Sequence, residues 1–333
     1  MRRCALILVL ACASSASAQT ARRATATEPV AAILDAFKTH EIVTVSDPHG
    51  RMPMQAFLLA LIRDPRFADT VNDIVVEPAS SRYQDVVDRF VRGDDVREDV
   101  LRKAWEDAVV PSSPGVLTEE LIRAVRVVNN GRNADKRLRV LLGDPPIDWD
   151  NVTSAAEHFK WVELRDTYPA DLIRRQVLER GRKALVIYGQ MHAQRKQSFS
   201  NYDMSTWQSQ TIVSLLERDA AARVFNVWSL FEADRMPAEV DQWPIPALAV
   251  LRGTTLGAAD FATLAFIPNR FGISGGRIGP VPRAEWRQLA MQEQFDAVLY
   301  LGPPASWTTP PPPSARCADS SYVAMRVRYC STS

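Results

Sequence analysis

The sequence predicts an α/β fold: a mostly parallel central sheet with helices on both faces and a helical insertion after the second strand. Three observations carry this. Short apolar runs alternate with segments of helical spacing along the chain, the pattern of βα units. Runs of this kind suit parallel strands covered on both faces. Between the second and third runs lie three amphipathic segments in succession.

The elements follow in order. A helix is expected over Val30–Thr39. "IVTVS" (42–46) is the first strand, and "MPMQAFLLALIRD" (52–64) has helical spacing. "DIVVE" (73–77) is the second strand. "YQDVVDRFV", "VREDVLRKAWEDA" and "LTEELIRAVRVVNN" are the inserted helices. "LRVLLG" (138–143) is the third strand. Helices are predicted over 151–164 and 169–180, with Gly181 ending the second. "ALVIYG" (184–189) is the fourth strand, and "RVFNVWSL", "PALAVLR" and "DAVLYLG" extend the sheet. "FGISGGRIGP" reads as a loop, because it lacks the Gly-Lys-Ser/Thr ending of a phosphate loop.

The chain has 333 residues and a net charge of +1. That balance gives no electrostatic case for nucleic acid or an anionic membrane. No apolar run beyond the N-terminus is long enough to span a bilayer. Arg2-Arg3, the short run "CALILVLACA" and the small residues before Gln19 describe a signal peptide over 1–18. The expected location is therefore periplasmic or secreted, with lipid anchoring at Cys12 as a lesser alternative. Residues 19–29 read as a disordered linker, 30–309 as a single α/β domain, and 310–333 as a Pro-rich connector and tail. Cys317 and Cys330 are the cysteines left after cleavage. A disulfide between them would tie the tail, contributing about 2–3 kcal/mol.

In open α/β sheets ligands bind beyond the carboxyl ends of the strands. Asp47 and His49 follow the first strand, Glu77 ends the second, Asp144 follows the third in "GDPPIDWD", and "GQMH" brings His192 after the fourth. Turn propensity explains Asp47, Pro48 and Asp144. It does not explain Glu77 or His192. His40 and His158 read as surface or packing residues.

At these residues the chain resembles the erythromycin esterase / ChaN / TIKI superfamily. "SDPHG" resembles its Gly-Glu-x-His-Gly turn, "DIVVE" its second strand ending in glutamate, "LRDTYPADLI" its Arg-Asn/Asp helix motif on Arg165 and Asp166, and "ALVIYGQMH" its strand followed by Gly-x-x-His on Gly189 and His192. The resemblance runs over roughly residues 40–195. It implies an α/β sheet with helical insertions. The superfamily includes lactone-opening esterases, metal-dependent proteases and haem-binding lipoproteins. Here Asp47 stands at the family's glutamate position and Ser46 at its glycine. The shorter carboxylate withdraws its oxygens by one carbon–carbon bond, about 1.5 Å.

Two function classes follow. The first is a hydrolase acting on a small-molecule or peptide substrate. In a metal-free form His49 is the general base, since imidazole titrates near neutrality. Asp47 or Glu77 then orients the ring and Arg165 stabilises a developing oxyanion. In a metal form His49, His192 and Glu77 ligate zinc, manganese or iron. The second class is a haem-binding or metal-binding protein, with Tyr83, Tyr188 and the histidines as candidate axial ligands and Asp144 and Asp166 near the ligand. A member with an inactive site is the remaining alternative.

Overall fold

The computed structural model describes residues 21–110, 116–196, 210–231, 236–264, 271–274, 277–280 and 288–310. The signal peptide expected over 1–18, the alternative anchor at Cys12, and the disulfide expected between Cys317 and Cys330 fall outside the described residues.

Along β1 (Ile42–Asp47) successive side chains enter opposite cores: Val43 and Val45 on one face, Ile42 on the other. The same alternation runs through β2 (Asp73–Ser80), β3 (Arg139–Asp144) and β4 (Ala184–Gly189). With β5 (Val224–Ser229), β6 (Ala247–Val250) and β9 (Ala297–Tyr300) they form a seven-stranded sheet of order β3-β2-β4-β1-β5-β9-β6. All pairings in it are parallel except β6 on β9. β7 (Phe271–Ser274) and β8 (Arg277–Pro280) pair antiparallel as a separate hairpin. The loop expected over "FGISGGRIGP" is therefore corrected at 271–274 and 277–280 to two paired strands, whose backbone groups satisfy each other.

The first face carries α1 (Pro29–Ala36), α2 (Met52–Arg63), the short α3 (Phe67–Thr70), and the insertion: α4 (Gln84–Arg92), the single turns α5 (Glu98–Leu101) and α6 (Lys103–Glu106), and α7 (Val116–Asn129). In α2, Met54, Phe57, Leu58, Leu61 and Ile62 recur at helical spacing and are all buried. Each such side chain contributes about 1.5–3 kcal/mol on burial. The middle inserted helix is broken into two turns at Arg102, and Trp105 and Ala104 still reach the core. The second face carries α9 (Thr167–Gln176) and α10 (Ile212–Asp219), preceded by the surface helix α8 (Ala155–Glu163). Trp228 of β5 anchors this core, packed against Phe261 and Phe295.

Residues 21–28 are not a free linker, as expected of 19–29. Thr27 exchanges backbone hydrogen bonds with Leu248 of β6 (2.8 and 3.0 Å), and Arg22 bridges Thr254. An edge strand presents unpaired N–H and C=O groups, and this polar segment satisfies some of them. Glu28 then caps α1 through the N–H groups of Val30 and Ala31.

The connections place the site. After β1 and β2 the chain passes to the first face, and after β3 and β4 to the second. In space these strands lie in the order β3-β2-β4-β1, so neighbouring connections diverge and leave a crevice beyond the strand ends. Among the described residues no helix is long and apolar enough to cross a membrane.

Candidate functional site

The parallel register sets Asp47 beside Gly189 and Val76 beside both Ile187 and Leu142. Asp47, Glu77, Asp144 and Gly189 thus share one sheet edge. The "SDPHG" turn is built locally. Asp47 Oδ1 accepts the His49 backbone N–H at 3.0 Å, and Oδ2 accepts ring Nδ1 at 3.0 Å. The short carboxylate suits this: both oxygens serve the residue two positions on. His49 has φ +49°, an uncommon conformation for a non-glycine residue. Such strain persists where the surroundings hold it, and it gathers at functional sites.

Glu77 lies at the centre and is 2% exposed. Its Oε1 accepts Arg165 Nη2 at 2.5 Å and lies 3.4 Å from His192 Nε2. Its Oε2 accepts the Gly189 N–H at 2.5 Å and lies 3.4 Å from His49 Nε2. Each imidazole is backed by an aspartate through Nδ1: Asp47 for His49, and Asp166 for His192 at 2.8 Å. Asp166 also accepts the Ile212 N–H. The resulting order is Asp47, His49, Glu77, His192, Asp166. Arg165 bridges Glu77 to Asp144 Oδ1 (2.9 Å), and Asp144 Oδ2 accepts the Val109 N–H (2.7 Å).

Electrostatics follow from this order. Burial works against the Glu77 charge, but His49, His192 and Arg165 together hold its pKa well below the ordinary carboxylate value. Burial alone would lower His192, yet Asp166 and Glu77 raise it to about 10. His49 is also raised: burial opposes, and Glu77 and Asp47 outweigh it. Burial raises Asp144 despite its guanidinium partner.

The two histidines differ in depth. His49 keeps 26% of its side chain exposed, whereas His192 is 6% exposed. His192 is enclosed between Asp166, Glu77 and the edge of the Tyr188 ring. Arg165 is 7% exposed with both neighbouring carboxylates attached, so its charge faces Glu77 and Asp144 and not a substrate. Asp144 is likewise interior. Tyr83 is not brought into this cluster; its hydroxyl donates to Asp107. His40 packs on Phe225, and His158 Nε2 meets the Val109 carbonyl.

Two glycines leave room that the sequence did not explain. A β-carbon on Gly143 would stand 1.8 Å from the Tyr188 hydroxyl. One on Gly189 would stand 2.7 Å from His49 Nε2 and 3.1 Å from Glu77 Oε2. Gly189→Ala should therefore push the exposed His49 ring outward. A reaction that depends on the position of the His49 ring should slow about a hundredfold, as misplacement by an ångström does. Stability should drop by only about 1–3 kcal/mol, because the crowded atoms are side-chain ends. Parallel rate and melting measurements check this; equal activity in the variant would contradict the geometry.

A metal does not fit these residues as placed. Both oxygens of Glu77 already accept close hydrogen bonds from Arg165 and Gly189, and His192 Nε2 is enclosed 3.4 Å from Glu77 Oε1. Among the described residues no group of three or more His, Cys, Asp or Glu is arranged to hold a metal ion. Haem fits no better: Tyr188 is 3% exposed, His192 is enclosed, and Tyr83 donates to Asp107.

No family model matches the chain, and no curated protein matches it. Solved structures do. A succinoglycan biosynthesis protein superposes with a TM-score of 0.57 at 11% identity, covering 84% of this chain and 94% of that one. A Bacillus cereus protein gives 0.46 at 10% identity, covering 80% and 89%. The haem-binding ChaN of Campylobacter jejuni gives 0.38 at 11% identity, covering 63% and 88%. At these identities the likeness is one of fold: an α/β sheet with surrounding helices, similar to the succinoglycan biosynthesis protein over most of both chains.

Proposed function

We propose that this chain is an exported hydrolase that cleaves an ester or amide bond of a small molecule or peptide with water activated at His49. The observation that carries it is the His49 ring: exposed on one side, strained in its backbone, and clamped by Asp47 at Nδ1 while Nε2 stands 3.4 Å from Glu77. Export rests on the leader at 1–18.

Neutral His49 keeps its Nδ1–H on Asp47, which leaves the Nε2 lone pair for water. The water oxygen bonds to the carbonyl carbon as its proton passes to Nε2. The carbon–oxygen or carbon–nitrogen bond then breaks, and the imidazolium returns that proton to the leaving alkoxide or amine. Glu77, Asp47, Arg165, His192 and Asp166 act as positioning residues. Arg165 holds Glu77 ionised and in place, and no step passes through a metal or haem.

The pH dependence has a definite sign. His49 is raised above the ordinary imidazole value of about 6.5, and the base must be neutral. With a panel of p-nitrophenyl esters and anilides, kcat/KM should climb with pH on a limb lying above 6.5. A limb at or below 6.5, or a rate that falls as His49 loses its proton, would rule out His49 as the base.

A further inference from the structure

A cavity opens among the segments that follow β2 and β3, and nothing in the mechanism above uses it. It is a cleft of about 460 Å³, within the range of small-molecule sites. Its walls come from the segment after β2 (Arg82, Tyr83), the segment after β3 (Asp148, Trp149) and the α6 turn of the insertion. It therefore lies at the same carboxyl edge of the sheet. We propose that it is a saccharide subsite, holding the glycosyl part of the substrate while the scissile bond lies at His49. This rests on the hydrolase reading for its role, though not for its binding.

Three features argue for a sugar. First, Tyr83 and Trp149 are half-buried rings fixed from one residue: the Tyr83 hydroxyl donates to Asp107 Oδ2, and Trp149 Nε1 donates to the Asp107 carbonyl at 3.2 Å. His158 packs against Trp149, with ring centroids 5.1 Å apart and planes tilted by 37°. Flat, pre-oriented rings offer a stacking surface at little entropic cost.

Second, the charges are mixed and paired. Arg82 meets Asp148 at 3.1 Å, and Arg102 meets Glu106 at 3.4 Å. Neither sign is in marked excess, so the cleft has no bias toward an anion or a cation. Guanidinium donors and carboxylate acceptors placed side by side instead match hydroxyls, which donate and accept at once. Apolar lining beyond the two rings is limited to Ile147, which disfavours a lipid or hydrocarbon ligand.

Third, the cleft is joined to the reacting edge. Two residues past Asp107, the Val109 N–H binds Asp144, which binds Arg165, which binds Glu77. The wall that grips the sugar and the carboxylate facing His49 belong to one hydrogen-bonded chain, and remote binding energy can then serve positioning at the reacting bond.

The test uses the full chain on a printed array of neutral, acidic and amino glycans, with hits titrated by isothermal calorimetry at physiological salt. Neutral glycans should be retained. Trp149→Ala should weaken that binding about tenfold or more, the scale of one lost stacking face. Trp149→Phe, which keeps a ring, should retain most of it and guards against misfolding of the alanine variant. His49→Ala should bind as the wild type does. Retention of no glycan, of charged glycans only, or unchanged binding in Trp149→Ala would each overturn the subsite. Glycan binding by a protein that turns over no ester or anilide would sink the hydrolase reading and leave the subsite standing. Ester turnover with no glycan retained would do the reverse.

Discussion

His49→Ala is expected to lower hydrolytic turnover by about 10²–10⁴-fold, the usual contribution of a positioned acid–base group, with a melting temperature close to that of the parent. The ring is partly in water and its backbone is strained, so its removal opens no core cavity. His192→Ala should behave oppositely in stability. It deletes a buried imidazole and leaves Asp166 and one oxygen of Glu77 facing each other without their shared cation. Breaking a buried pair in this way costs about 3–5 kcal/mol. Turnover and denaturant unfolding of the two variants, measured side by side, separate these roles. If both variants lose several kcal/mol, His49 is a structural residue. If His49→Ala retains full turnover of every ester accepted by the parent, the base lies elsewhere.

Arg165→Met should be the most destabilising single change at the site. The guanidinium is the link between two interior carboxylates, Glu77 and Asp144. Without it, Asp144 loses its cation and Glu77 keeps only the two imidazoles, at a cost again of about 3–5 kcal/mol. Combining Arg165→Met with Glu77→Gln and Asp144→Asn removes the uncompensated charges and should recover much of that loss, while activity stays absent. Unfolding midpoints of the single and triple variants decide it. A single variant within 1 kcal/mol of the parent (roughly the scale of an exposed pair) would show that Arg165 is not the cation holding Glu77.

Much of the architecture was legible because it is local. The alternation of apolar runs with helical spacing named the strands of the sheet and the insertion after the second one. The "SDPHG" turn was legible as a turn carrying Asp47 and His49; that the short carboxylate reaches both the backbone and the ring of His49 came from the structure. The residues that end the first four strands could be named from their position alone. In "GDPPIDWD" the same rule pointed to Asp144 and passed over Trp149, five residues on, whose place in the cleft depends on Asp107 in the insertion. Nothing near Asp107 in the sequence marks it as an anchor.

The sequence by itself determined the fold class and the strand-end placement of Asp47, His49, Glu77 and His192, and left open whether Asp47 or Glu77 orients the His49 ring. Only the tertiary structure decided strand order, the antiparallel β6, the docking of residues 21–28, and which histidine faces water. It also decided the charge states. Glu77 is held ionised by groups from other segments, with the Gly189 N–H arriving from 112 residues away. Depth and proton affinity depend on what packs across the sheet edge, and one segment read along its length carries no record of its neighbours from the other strands.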